Sequence, residues 1–247
     1  RRSQRKPSQA RGAMVSSAWL SPLSLLFQLG RGAEDSVRDM TLGASYSSEV
    51  RQSLSEVKLP ESLEKLTLGE FFDEPLDGIT WPESLKEIRF ETRKKFGEGG
   101  FNHPIAEVVW PASLERLIFA HNFNQPIEEV VWPASLQQLS VGPTFDQPIA
   151  AVSWPSSLQE LSFGYSFNQP IVGVVWPVSL QQLSLGSTFD QPIAGVVWPA
   201  SLRRLSFGYA FNRPIVGVVW PGSLKQLTLG YTFNQPIAGV VWPVALE

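Results

Sequence analysis

Trp-Pro occurs at Trp81, Trp110, Trp132, Trp154, Trp176, Trp198, Trp220 and Trp242, and after a first interval of 29 residues every interval is 22. A fixed period of that size marks a solenoid: each unit is one coil, too small to bury its apolar face alone, and it gains a core only by stacking on its neighbours. Numbered from its first Leu, one unit reads LQQLSVGPTFDQPIAAVSWPSS over residues 136–157. Apolar residues hold positions 1, 4, 6, 10, 14, 17 and 19, Gly holds 7, Asn or Asp holds 11, and Pro holds 13 and 20. Full units start at Leu63, Leu85, Leu114, Leu136, Leu158, Leu180, Leu202 and Leu224. A degenerate first coil over 37–62 precedes them, and the Leu85 unit carries an insertion within residues 91–100. Phe-Gly-Tyr recurs at Phe163 and Phe207, and Thr-Phe-Asp-Gln-Pro-Ile-Ala at Thr144 and Thr188, so the duplicated unit is 44 residues, or two coils.

Positions 4 and 6 alternate with polar neighbours, which predicts a short strand over positions 3 to 7 with one buried face. Gly at position 7 is expected to end it in a turn of positive φ. Positions 14 to 19 are bracketed by Pro, rich in Val and often carry Gly at 16. Proline costs about 3 kcal/mol inside a helix and β-branched residues favour strands, so this return segment is expected to be extended. The fold expected is therefore all-β or mostly β: a leucine-rich-repeat-like solenoid of about nine 22-residue coils over 37–247, with strand or extended structure on both sides and little helix. Residues 1–36 read as a basic, disordered leader, with six bases and no acid before Glu34. The sequence starts with Arg and stops at positions 1 and 2 of a further coil, so it reads either as part of a longer protein or as an array with an open edge able to associate.

The string Leu-Ser-Phe-Gly-Tyr-Ser-Phe-Asn-Gln-Pro-Ile (Leu161–Ile171), repeating with Pro-x-Ser-Leu at the join, resembles the FNIP repeat, a family named for its Phe-Asn-(Ile/Gln)-Pro core and akin to leucine-rich repeats. The cores run from a diverged Phe72-Asp73-Glu74-Pro75 through Phe167-Asn168-Gln169-Pro170 to Phe233-Asn234-Gln235-Pro236, so the resemblance spans about 63–246. Trp at position 19 departs from it, Leu before the Pro being more usual. The resemblance implies a protein-interaction role, offers no catalytic residues to carry over, and includes members that join the repeats to an F-box.

Composition narrows the function classes. The absence of Cys removes disulfides, thiolate metal sites and cysteine nucleophiles, and His103 and His121 are the only histidines. A net charge of −3 argues against nucleic acid, and no apolar run is long enough to span a membrane. No acid–base constellation stands out, so no enzyme activity, cofactor or metal is expected. The lack of Cys and of an Asn-x-Ser/Thr sequon leans toward an intracellular location.

The expected role is a non-catalytic protein–protein interaction scaffold, with a substrate-binding part of an adaptor as its sharper form. The alternative is a self-associating structural or surface repeat protein, joined through the last coil or through exposed Val. The partner-binding candidates are Tyr165, Tyr209 and Tyr231 after the strand Gly, and Glu160 and Arg204 at position 3, because aromatics and Arg are the usual interface anchors. The Asn/Asp column at position 11 admits a cation or sugar site but fits caps of backbone donors better. Ser or Thr at position 5 makes a polar stripe. Val just before each Trp (Val109, Val131, Val175, Val197, Val219, Val241) either forms an exposed row or is shielded by Gly-rich turns. Arg93, Lys94, Lys95 and Phe96 in the insertion form a surface loop open to recognition, and the two histidines read as solvated turns.

Overall fold

The computed structural model describes residues 36–43, 53–91 and 100–247. The basic leader, part of the degenerate coil and most of the insertion, with Arg93, Lys94, Lys95 and Phe96, lie outside the described residues. Nine strands follow in chain order: β1 (Asp39–Leu42), β2 (Lys65–Leu68), β3 (Glu87–Phe90), β4 (Arg116–Ile118), β5 (Gln138–Ser140), β6 (Glu160–Ser162), β7 (Gln182–Ser184), β8 (Arg204–Ser206) and β9 (Gln226–Thr228). Each pairs in parallel with the next, forming one sheet in sequence order. Register follows the repeat: Glu160 faces Gln182 and Gln182 faces Arg204. A single 3₁₀ turn, Leu54–Glu56, is the only helical element with its own span among the described residues.

The ladder is confined to one side of each coil. The return segment is extended around a turn at Val172-Gly173, closed by Val174 N–H donating to the Ile171 carbonyl at 3.3 Å, and makes no strand pairs. Proline at both ends removes two donors that a second ladder would need.

Positive φ falls at a different glycine from the one the sequence suggests. Gly173, Gly195, Gly217 and Gly239, in the return turn, have φ between 83° and 87°. Of the glycines that end strands, Gly43 has φ 74°, but Gly142, Gly164, Gly186, Gly208 and Gly230 do not enter that region. Their constraint is contact: a Cβ on Gly208 would stand 1.8 Å from the Gly186 carbonyl oxygen, and one on Gly186 2.1 Å from that of Gly164. Glycine here lets one coil lie directly on the backbone of the coil before it.

Inside the coils, position 4 is buried in every strand from β2 to β8, as Ile88 in β3 and as Leu in the others. Phe101, Phe123, Phe145, Phe167, Phe189 and Phe211 form a column of buried rings. Successive rings in the column lie 6.0 to 6.3 Å apart. Tyr209 and Tyr231, just past the strands, are 4.9 Å apart, close to ordinary strand spacing. Trp198 and Trp220 on the return side are 6.2 Å apart. The coils therefore fan open away from the sheet, which lies on the inside of the bend. Phe163 and Phe207 alternate at position 6 with Val141 and Leu185, and this alternation is the packing counterpart of the 44-residue period.

Polar ladders fasten coil to coil. Asn168 Oδ1 accepts the Asp190 backbone N–H at 2.9 Å and Gln191 Nε2 at 3.1 Å. Asp146 and Asp190 accept from Asn168 and Asn212 in the same way, both at 2.9 Å. The Ser of each Pro-x-Ser-Leu join donates to the position-1 carbonyl of the preceding coil, as Ser62 does to Val37 at 2.8 Å and Ser179 to Leu158 at 2.7 Å. Asn168→Ala would strand the Asp190 amide and is expected to cost about 1–3 kcal/mol. Asn168→Asp should keep most of that stability, because Asp146 already does this work one coil earlier. Urea unfolding followed by circular dichroism measures both, and equal losses would overturn the ladder's role.

Candidate interaction face

Strand geometry builds the face. Position 4 points into the core, so positions 3 and 5 stand on the open side of the sheet, as the half-buried Gln182 and Ser184 flanking buried Leu183 show. Parallel register lines equivalent residues up across the coils. Gln182 Nε2 donates to Glu160 Oε1 at 2.8 Å, and Arg204 Nη1 donates to Gln182 Oε1 at 3.3 Å. The hydroxyls of Ser162, Ser184, Ser206 and Thr228 run beside this row, and together they line a shallow trough of about 270 Å³. A second trough of about 300 Å³ continues toward the N-terminal coils between Lys86, Glu87, Glu115, Arg116 and Gln159.

Charge is distributed unevenly along the face. Toward the first coils most of it is paired: Arg38 with Glu64, Lys65 with Glu87 at 3.0 Å, and Arg116 with the same Glu87 at 3.8 Å, while Arg89 on β3 is exposed. From Gln138 onward amides and hydroxyls dominate, with Arg204 in the trough lining and Arg203 exposed just before β8.

Of the candidates read from sequence, Glu160 and Arg204 are brought together in the trough, through Gln182 between them. Tyr165, Tyr209 and Tyr231 are exposed and sit three residues past their strands, outside the trough lining. Tyr209 and Tyr231 stack with planes 11° apart, while Tyr165 is two coils from Tyr209. Gln182 was not among the selected anchors; the signal for it was its register, one repeat from both Glu160 and Arg204.

The Asn/Asp column is engaged in the coil-to-coil ladder, and Asp190 also pairs with Arg213 at 2.8 Å. Among the described residues, no group of three or more His, Asp and Glu side chains is placed to hold a metal. His103 is no solvated turn: its Nε2 lies 3.2 Å from Asp73 Oδ1 and its ring packs on Phe101 at 5.8 Å. The Val row is exposed rather than shielded, with Val109, Val131, Val175, Val197, Val219 and Val241 each 79–82% accessible. A Cβ at Gly173, Gly195 or Gly217 would meet nothing within 4 Å, so these turns cast no cover over the row. Among the described residues no helix is long and apolar enough to cross a membrane.

Stacked 22-residue coils with a single parallel sheet define a leucine-rich-repeat-like solenoid. The FNIP Repeat family matches residues 52–92, 101–140, 123–166, 167–210 and 211–243, and the chain belongs to that family. CroV588, described as a novel circular leucine-rich-repeat protein, superposes with a TM-score of 0.73 at 39% identity over 86% of this chain. The match takes in 30% of CroV588, so the chain corresponds to about a third of that protein's length. A leucine-rich-repeat protein from Bacteroides ovatus ATCC 8483 aligns with 81% of this chain and 62% of its own at 11% identity, with a TM-score of 0.24. No curated protein sequence matches the chain.

Proposed function

We propose that the chain is a non-catalytic protein-interaction scaffold that holds its partner along the sheet face. One observation carries this reading: five successive strands present a continuous trough lined by amide, hydroxyl, carboxylate and guanidinium groups, with an exposed stacked tyrosine pair past the ends of its last two strands. Exposed aromatics and Arg are the side chains that dominate binding energy at protein interfaces, and a rigid repeat array holds them at fixed spacing. In the finer form of the reading the array is the substrate-binding part of an adaptor. Capture of interacting proteins from native cells by the wild-type chain and by a Tyr209→Ala/Arg204→Glu variant tests it. Specific partners lost from the variant are expected, with ubiquitin-ligase subunits retained if the adaptor form holds. An identical protein set from both chains would sink the sheet face as the binding surface.

A second reading is self-association through the exposed Val row on the return side. Val175, Val197, Val219 and Val241 are each 79–82% accessible. An exposed apolar row of this kind marks an interface, and the same row on a second copy is the occupant that fits it. Sedimentation velocity at rising concentration would show association abolished by Val197→Lys/Val219→Lys; association that survives this change excludes the Val row.

A further inference from the structure

Within the scaffold reading, we infer that the C-terminal end of the sheet face, around Arg203 and Arg204, is a docking site for an acidic peptide segment. The inference rests on charges left unanswered. Arg203 makes no ion pair or side-chain hydrogen bond among the described residues, and Arg204 gives a single hydrogen bond to the neutral Gln182. The neighbouring cation Lys225 is already neutralised by Glu247 at 2.9 Å, and the off-face Arg213 by Asp190 at 2.8 Å. The nearest carboxylate in the position-3 row, Glu160, lies two strands from Arg204, about 10 Å at strand spacing, and is engaged by Gln182. Elsewhere on this face, toward the first coils, Arg38, Lys65 and Arg116 pair with Glu in adjacent strands, and Arg89 stands singly between Thr67 and Ile118. Here Arg204, in the trough lining, and the exposed Arg203 just before β8 stand as two adjacent guanidinium groups without a Glu partner.

The surroundings define the chemistry. Guanidinium forks bind carboxylates bidentately, and charge-assisted hydrogen bonds of this kind are the stronger class. Ser184, Ser206 and Thr228 add hydroxyl donors along the same trough, and the row is extended over several coils, so a segment rather than a point ligand is accommodated. The sheet lies on the inside of the bend, where a recessed charged surface concentrates its field on a ligand. The exposed Tyr209–Tyr231 stack, past the ends of β8 and β9, offers an apolar anchor further along the same coils that suits a polypeptide. Two arginines on a chain of net charge −3 make a poor track for a nucleic-acid backbone.

Fluorescence anisotropy of labelled octaglutamate, octaserine and an oligothymidylate of matching length, titrated with the 247-residue chain, tests the inference. Octaglutamate is expected to bind at least about tenfold more tightly than octaserine, and to weaken severalfold as salt rises from about 0.05 M to about 0.3 M. Arg203→Gln/Arg204→Gln should lose about tenfold or more, a change of about 1.4 kcal/mol, while Arg213→Gln, off this face, should not. Failure of octaglutamate to bind, equal binding of octaserine, no loss in the double variant, or equal binding of the oligothymidylate each overturns it. The scaffold reading fails separately: octaserine binding that depends on Tyr209 would leave the scaffold standing without its acidic ligand. Partner capture indifferent to both Tyr209→Ala and Arg204→Glu would remove the scaffold itself.

Discussion

Gly208→Ala should destabilise the array by about 3 kcal/mol or more, the upper end of what overpacking costs. The added methyl would stand 1.8 Å from the Gly186 carbonyl oxygen, 2.5 Å from its carbon and 2.5 Å from Ser187 Cα. All three are backbone atoms, so no side chain can swing aside. Relief requires the two coils to part, which strains the sheet ladder between β7 and β8 and the Ala210-to-Ser187 backbone bond of 2.8 Å. Gly173→Ala makes the opposite case. Its Cβ would meet nothing within 4 Å, and the strain lies in φ of 86°. Glu107, Glu129 and Ala151 occupy the same position in other coils without positive φ, so the turn can change type, and a cost of about 1 kcal/mol is expected. Urea denaturation of both variants ranks them; a Gly173→Ala loss equal to or larger than that of Gly208→Ala would refute the contact argument.

That pair of glycines also shows where the sequence was legible and where it was not. Period, strand position and inward residues follow from spacing alone, because a solenoid repeats one environment and every copy votes on it. Leu161, Phe167 and Trp176 are buried where the pattern places them. What a glycine is needed for does not follow from spacing. Left-handed backbone and close approach of a neighbouring coil both select Gly, and only coordinates separate Gly173 from Gly208. The Asn column was readable as a set of caps, yet its donors lie one coil away rather than in its own turn. The interaction face was half legible. Glu160 and Arg204 stood out by charge, but Gln182, which connects them, carries none and looks like any other surface amide. The exposed Val row was visible as alternation around buried Val174 and Trp176; whether the Gly turns cover it was a question of shape.

Phe189→Ala should cost about 3–5 kcal/mol, and the loss should be felt well beyond its own coil. The ring is fully buried and stacks between Phe167 and Phe211, each 6.1 Å away, while touching Phe207 at 6.2 Å. Removing it opens a cavity shared by three coils, and close-packed neighbours held in register by the ladders cannot collapse into it. In a repeat array each coil is stable through its two interfaces, so weakening both at once uncouples the coils on either side. Phe233→Ala is the matched control: that ring stacks on Phe211 alone and is only half-buried, so about 1–2 kcal/mol is expected. The distinguishing readout is amide exchange. In Phe189→Ala, the β8 and β9 amides should exchange together and faster than those of β4 and β5, because the C-terminal coils have lost their connection to the larger block. Uniform exchange across the sheet, or a stability loss no greater than that of Phe233→Ala, would show that the aromatic column does not transmit stability from coil to coil.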